Sequence, residues 1–460
     1  MPIQTRRYAH LLIGAAFALL LAWGPASAAI PIQFWTQPSG ARVYFVESPS
    51  IPMVDIRVEF DAGGRREPAD KAGLASVTAS MTSKGIAAPR EGGPAASLYP
   101  SALDENQLGE AWADLGAGFG GGAGSDRMSF SLRSLNYPDL LAKAIQLAAR
   151  QLGEPAFPED VWQRERQRIS ASIREANTRP GTLAGKAYAA AVYREHPYGH
   201  EVTEASLDRI TVADMREMYR LLEPCRAKVS IVGAVTRAQA DALAATLLSR
   251  LPAAVQGRCQ DLPPVAEVAP LDAPLLREIP FASAQAHVLL GQPGYKRSDP
   301  DYFALLVGNY ILGGGGFVSR LSQEVREKRG LSYSVSSHFS PGLHAGAFTV
   351  GLQTRPDQAA QALRVAREVV ARFVADGPTE AELAAAKDNL IGGFPLLIDS
   401  NGKLLDNVAS IAWNELPLDY LDTWTANVRR ISAADIKAAF TRKLQPQRMV
   451  TVTVGADAAR

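Results

Sequence analysis

Cysteine is nearly missing: Cys225 and Cys259 are the only two in 460 residues. That excludes a disulfide-dense scaffold and a paired-cysteine metal site, and leaves one pairing open in an oxidising compartment. Histidine is scarce as well, six in the whole chain, so a centre built from imidazoles has few residues to draw on. Neither sign of charge is in excess, since 48 Lys and Arg stand against 47 Asp and Glu for a net charge of +1. Without a basic stripe interleaved with aromatics, neither nucleic acid nor an anionic membrane surface is an expected partner. Apolar runs of spanning length are lacking too; the sustained one, Leu11 to Trp23, is short for a membrane helix. It follows Arg6 and Arg7 and precedes Ala26-Ser27-Ala28, the layout of a secretory signal over residues 1–28. We expect an exported, periplasmic chain that begins near Ala29 and has no membrane attachment after cleavage; an uncleaved anchor is the alternative.

What is present is apolar residue enough for large cores, 47% of the chain, and a length that calls for two or more domains. An internal repeat divides it. Leu207 to Ala234 and Val428 to Ala456 follow one template: a Thr or Ser cap, a helix, a proline-containing turn, then an apolar strand ending in Val-Gly-Ala. So long a period indicates two copies of one domain rather than a solenoid. The boundaries expected are 29–250 and 275–460, with the Pro- and Ala-rich stretch 251–274 as a linker stiffened by Pro263-Pro264. In the first copy, Val43 to Phe60 reads as two strands broken at Pro49 to Pro52, Ser129 to Leu135 as another, and Tyr137 to Leu152, Pro158 to Asn177 and Thr236 to Leu251 as helices. Strands mixed with long helices, without regular alternation, give an α+β class.

The stretch Lys71 to Gly85 carries chemistry by omission. Leu74, Val77, Thr78 and Met81 fall at i, i+3, i+4 and i+7, so one helix face packs inward, while the other face carries Ser76, Ala79 and Ser80. Two ligands four residues apart with a carboxylate beside them would activate a metal-bound water. Here two hydroxyls and a methyl stand instead; a neutral serine binds zinc poorly and alanine relays no proton. The wider segment, Asp61 to Gly85, resembles the pitrilysin/insulinase zinc peptidases, which place HxxEH between "GLA" and "M..KG". By that resemblance Ser76 and Ser80 stand at the two histidine positions, Ala79 at the catalytic glutamate and Ser172 at the third ligand. The resemblance implies two homologous domains in a clam-shell, each a mixed, mostly antiparallel sheet with helices on one face. It also implies no metal in this chain.

Gly116 to Gly124 lacks the strand, lysine and helix context of a phosphate loop and reads as glycine at a turn or edge strand. By resemblance it leads into the strand along which family members lay substrate peptide. His196 and His200 have the spacing of a helical metal pair, but Pro197-Tyr198-Gly199 between them favours a structural loop.

Leu312 to Ser337 carries the most specific pattern. It resembles the C-terminal half of the same peptidases, whose "SRL...lRe..gl.Y.v" segment supplies an arginine and a tyrosine to substrate at the other half's zinc. The matching residues are Arg326 and Tyr333. A guanidinium offers fixed donors to a carbonyl or carboxylate, and a phenol one more to a developing oxyanion. Read without the resemblance, they are an arginine on a solvated helix face and a tyrosine starting a half-buried strand. The run Gly313 to Gly316 resembles the glycine-rich segment of the non-catalytic subunit of mitochondrial processing peptidase, and reads either as a mobile loop that adapts to peptide or as a simple helix-entry turn. Together these imply a catalytically inactive subunit that binds unstructured peptides and pairs as a heterodimer with an HxxEH-bearing homologue, which holds the zinc. The alternatives are a peptide-binding or scaffolding protein without a proteolytic partner, and an autonomous metallopeptidase with unrecognised ligands.

Overall fold

Alternation of apolar and polar residues produces two sheets, one in each half of the chain. The computed structural model describes residues 30–89, 99–252 and 259–457; the expected leader, Met1 to Ala28, lies outside them. The first sheet has the order β1-β2-β8-β3-β7-β6. Its strands are β1 (Gln33–Thr36), β2 (Arg42–Glu47), β3 (Met53–Phe60), β6 (Gly118–Ala123), β7 (Met128–Leu135) and β8 (Lys228–Gly233), and a small pair, β4 (Gly85–Ile86) and β5 (Leu103–Asp104), stands apart. The second has the order β11-β12-β10-β13-β9, built from β9 (Leu275–Ile279), β10 (Ala286–Pro293), β11 (Ser334–Phe339), β12 (Ala347–Thr354) and β13 (Val450–Val454). Each is antiparallel except for one parallel pair, β2 with β8 and β13 with β9. The chain is thus an α+β protein with two like halves, and from Ile32 onward it forms one compact unit.

In β3, Val54, Ile56, Val58 and Phe60 are fully buried against the helices Leu74–Met81, Pro138–Gly153, Val212–Tyr219 and Arg237–Leu248. Each such side chain contributes about 1.5–3 kcal/mol on leaving water. The second core is formed likewise by the helices Tyr302–Asn309, Ala359–Asp376 and Ala433–Lys443 on its own sheet. The repeat is visible down to its caps: the Thr211 hydroxyl accepts from the Asp214 amide at 3.2 Å, and the Ser432 hydroxyl from the Asp435 amide at 3.1 Å.

The outer faces of the sheets are covered by exchange. The helix Pro180–Tyr193 of the first half packs on β10 and β13 of the second, and the helix Asn401–Asn414 of the second packs on β2, β3 and β8 of the first. The two contacts differ in chemistry. Asp55, Arg57 and Glu59 of β3 pair in register with Arg133, Ser131 and Ser129 of β7, so one face of the first sheet is strongly polar there. Arg57 reaches Asp406 of the covering helix at 2.7 Å. On the second sheet, Val450, Val452 and Val454 pack with Ala184, Tyr188 and Val192 of the covering helix. At the repeat offset of 455 − 233 = 222, the core residues Val229 and Ile231 match Thr451 and Thr453, so β13 has turned its apolar side outward.

The stretch from 259 to 274 has neither helix nor strand and runs as a strap along both halves. Cys259 is disulfide-bonded to Cys225, with Cα atoms 5.8 Å apart. The Pro263 carbonyl accepts from Arg66, and Val268 and Leu271 are buried.

Candidate functional site

The helix Leu74–Met81 is set by its frame. Glu67 accepts from the amides of Gly73 and Ala75, both at 2.8 Å, satisfying the helix start. Burial pushes its carboxyl up despite those two bonds. Gly73 precedes the helix at φ 101°, a conformation that favours glycine. Lys71 pairs with Asp214 at 2.6 Å and Lys84 with Glu105 at 2.5 Å, fixing both ends. The motif that frames the degenerate positions is therefore a mounting for the helix.

The donor set on that mounting does not suit zinc. Ser76 and Ser80 are exposed, and their hydroxyls donate to the carbonyls of Ala123 at 3.4 Å and Val77 at 3.0 Å. Ala79, expected on the outward face with the two serines, is instead fully buried, because the helix packs against β6 there, and Ser172 is exposed on the helix Glu159–Ala176. No imidazole or carboxylate belongs to this set, so no step through a metal is derived. Among the described residues one group of three metal-type side chains, Glu223, Cys225 and Cys259, lies within ligand spacing, and its two sulfurs are spent on the disulfide. His196 is likewise structural: its Nδ1 accepts from the Tyr198 amide at 3.1 Å across the Pro197–Gly199 turn. Tyr198 donates to Asp126 at 2.5 Å and accepts from the His344 amide at 3.2 Å, joining the halves.

Arg326 and Tyr333, in contrast, are brought together. The Arg326 guanidinium carbon lies 5.1 Å from the centre of the Tyr333 ring and 4.2 Å from that of Phe317. Such contacts hold a cation by the ring quadrupole. Tyr333 is 83% exposed, immediately before β11, an edge strand, so it is no part of a half-buried strand. Phe317 at 66% and Val318 at 73% are exposed beside it. Phe317 escaped sequence reasoning; the signal that could have found it is a large apolar pair placed directly after four glycines.

Those glycines form a built turn. The helix Tyr302–Asn309 widens into a π-turn over Tyr310–Gly314, and Arg326 itself sits in a second one, Ser322–Glu327. Such turns are rare and recur at functional sites. A Cβ on Gly313 would meet Ser337 Oγ of β11 at 2.4 Å, and Gly316 sits at φ +63°. Asn309 ties the turn to β11, donating to the Ser337 carbonyl at 3.1 Å and accepting from its hydroxyl at 2.8 Å. The glycines thus sit at the exit of a helix and not at the entry expected, in a packed turn that presents Phe317 and Val318.

Two other surfaces bear on binding. β6 is the outer edge of the first sheet, and a Cβ on Gly118, Gly120 or Gly122 would meet no atom within 4 Å, so side-chain bulk is missing along an open edge. A cavity of about 700 Å³ opens between the halves and the strap, lined by Arg42, Arg66, Arg226 and Lys228 among others. Its cations are each held by an acid of the chain: Arg42 and Lys228 by Glu415, Arg66 by Asp61, and Arg226 by Glu223.

Against this geometry, the model of the peptidase M16 inactive domain matches residues 209–390. An uncharacterized zinc protease of Mycobacterium leprae is 30% identical over 378 residues, 80% of this chain and 79% of that protein. A non-peptidase homolog of Helicobacter pylori is 24% identical over 86% of this chain and 87% of its own. The crystal structure of a peptidase M16 inactive domain from Pseudomonas fluorescens superposes with a TM-score of 0.85 at 33% identity, covering 93% of this chain and 98% of that one. The chain belongs to the peptidase M16 family. It is an inactive-type, peptidase-like member of it, in the sense of the model it matches.

Proposed function

We propose that this chain is the zinc-less member of a peptidase pair, exported to the periplasm. A homologous HxxEH-bearing subunit supplies zinc and the attacking water; this chain binds unstructured peptide, closes the chamber around it and contributes Arg326 and Tyr333. The observation that carries the reading is the contact of Arg326 with the Tyr333 ring beside a packed turn, with Tyr333 and Phe317 open to solvent. The glycine-bare edge of β6 supports it, since an extended peptide can add to an open strand through main-chain bonds alone. The hydroxyls and methyl at Ser76, Ala79, Ser80 and Ser172 support the lack of an own metal. The name of the Helicobacter pylori relative points the same way.

The test is cleavage of an unstructured peptide with zinc, by this chain alone and with its HxxEH-bearing homologue. We expect chelator-sensitive cleavage by the pair only, falling about 100-fold with Arg326→Ala and less with Tyr333→Phe, the scale of removing a transition-state donor. Robust cleavage by this chain alone would overturn the reading, and unchanged activity of both variants would remove the site. Peptide binding with no homologue co-purifying from the native envelope would instead leave a scaffold without a proteolytic role.

A further inference from the structure

Arg326 differs from its cationic neighbours. Arg320 donates to both carboxylate oxygens of Glu382 at 2.7 Å and to the Gly377 carbonyl at 3.0 Å. That bond holds the Glu382 carboxyl down at about 2. Lys328 and Arg329 both pair with Glu324 at 2.6 Å. Arg326, with a side chain only 25% exposed, has a single ionic neighbour, Glu327, at 3.6 Å, beyond hydrogen-bond length. A guanidinium carries five N–H donors, and among the described residues no acceptor is recorded for any of them on Arg326.

The way it is held says what would meet them. A guanidinium stacks on rings through its face and binds oxyanions through its edge. The guanidinium carbon lies 4.2 Å from the centre of the Phe317 ring and 5.1 Å from that of Tyr333, contacts that hold the cation without using up its N–H donors. A carboxylate matches two parallel N–H donors and neutralises the charge; a peptide carbonyl takes one and leaves the charge unmet. Glu327, 49% exposed on its side chain, is loosely held and displaceable. Phe317, in contact with the guanidinium, and the adjacent Val318 stand open to solvent.

We propose that Arg326 is a carboxylate receptor, and that this surface selects peptides in which a carboxylate lies next to an apolar side chain. The inference rests on the peptide-binding reading above and narrows its substrate class. Two sources share the chemistry, a free C-terminus and an acidic side chain. Phe317 is a positioning residue, acting on the ligand through the guanidinium.

The experiment is fluorescence anisotropy on the full chain with one labelled, unstructured peptide in four forms. It ends in Phe as the free acid or the amide, and separately carries an internal Glu-Phe or Gln-Phe with both ends blocked. We expect the preferred acid to bind at least about tenfold tighter than its neutral twin, the worth of one bidentate charge-assisted contact. Arg326→Lys, which keeps the charge and loses the fork, is expected to erase that ratio at unchanged thermal midpoint. Phe317→Ala is expected to shrink it, and Phe317→Tyr to restore it. The free-acid pair answering alone assigns the C-terminus, and the Glu/Gln pair answering alone assigns the side chain; either result upholds the receptor. Equal binding of acid and neutral forms overturns the proposal while leaving the peptide-binding reading standing. No binding of any form to this chain or to its complex with the homologue overturns both.

Discussion

Trp413 closes over Lys228: its carbonyl accepts from the Lys228 ammonium at 2.9 Å, and the same ammonium lies 5.2 Å from the centre of its ring. Arg127 approaches that ring as well, at 5.4 Å. One residue near the end of the Asn401–Asn414 helix thus latches a second-half element onto the first sheet. Burial pulls the Lys228 ammonium's pKa down, with Arg42 adding to the effect, so the latch accepts an electrostatic penalty as well as a packing gain. We expect Trp413→Ala to cost about 3–5 kcal/mol, as for other buried large-to-small changes. Trp413→Phe, which keeps a ring between the two cations, is expected to cost clearly less. Urea midpoints at constant slope measure both.

Glu59 gives the latch a pH dependence. It is 1% exposed, Arg127 is 3.0 Å from one oxygen, and the other oxygen has no hydrogen-bond partner among the described residues. Burial outweighs the nearby cations and pushes its carboxyl up to about 7. The folded state therefore binds a proton that the unfolded chain has already released, and stability falls as pH rises from about 4.5 to about 7. Glu59→Gln is expected to flatten the denaturation midpoint over that window. A slope unchanged in the variant would place the titration elsewhere.

The Cys225–Cys259 bond joins the segment before β8 to the strap and spans 34 residues of sequence. Closing a loop of that size restricts the unfolded chain by about 3–4 kcal/mol. We expect Cys225→Ser with Cys259→Ser to lower stability by that order and to free the strap beside Arg66. A thiol titration of denatured, unreduced protein is expected to find no free sulfhydryl; two would refute the bond.

Tyr188 anchors the other exchanged helix. Its hydroxyl donates to the Phe348 carbonyl at 2.7 Å and accepts from Thr349 at 3.1 Å. Gly291 of β10 leaves room for it, since a Cβ there would come within 2.1 Å of that hydroxyl and 1.9 Å of the Phe348 carbonyl. Tyr188→Phe is expected to cost about 1–3 kcal/mol, the price of orphaned buried polar atoms. Gly291→Ala is expected to cost about 3 kcal/mol, at the upper end for overpacking. Calorimetric midpoints separate the two.

Local pattern made much of this legible. Alternation in Val43 to Phe60 and in Ser129 to Leu135 gives β2, β3 and β7; the repeat gives β8, β13 and the caps at Thr211 and Ser432; glycine from 116 to 124 gives the edge strand β6. Arg326 and Tyr333, seven residues apart in sequence, do meet. The helix exchange was not legible, because it rests on contacts far apart in sequence that leave no periodic trace. The alternating Val and Thr of β13 marks a two-faced strand without saying which face meets the core. The π-turns escaped too, since one extra residue per turn changes no composition, only the direction in which Phe317 is carried.

The exchanged helices also fit the order of the elements along the chain. The polar face along β3 and β7 waits for a cover that lies about 170 residues further along the chain than β8. Charged groups tolerate that wait in water. The valines of β13 come after the Pro180–Tyr193 helix that shields them, so in any delivery from the N-terminal side the greasier of the two surfaces meets a cover that is already there.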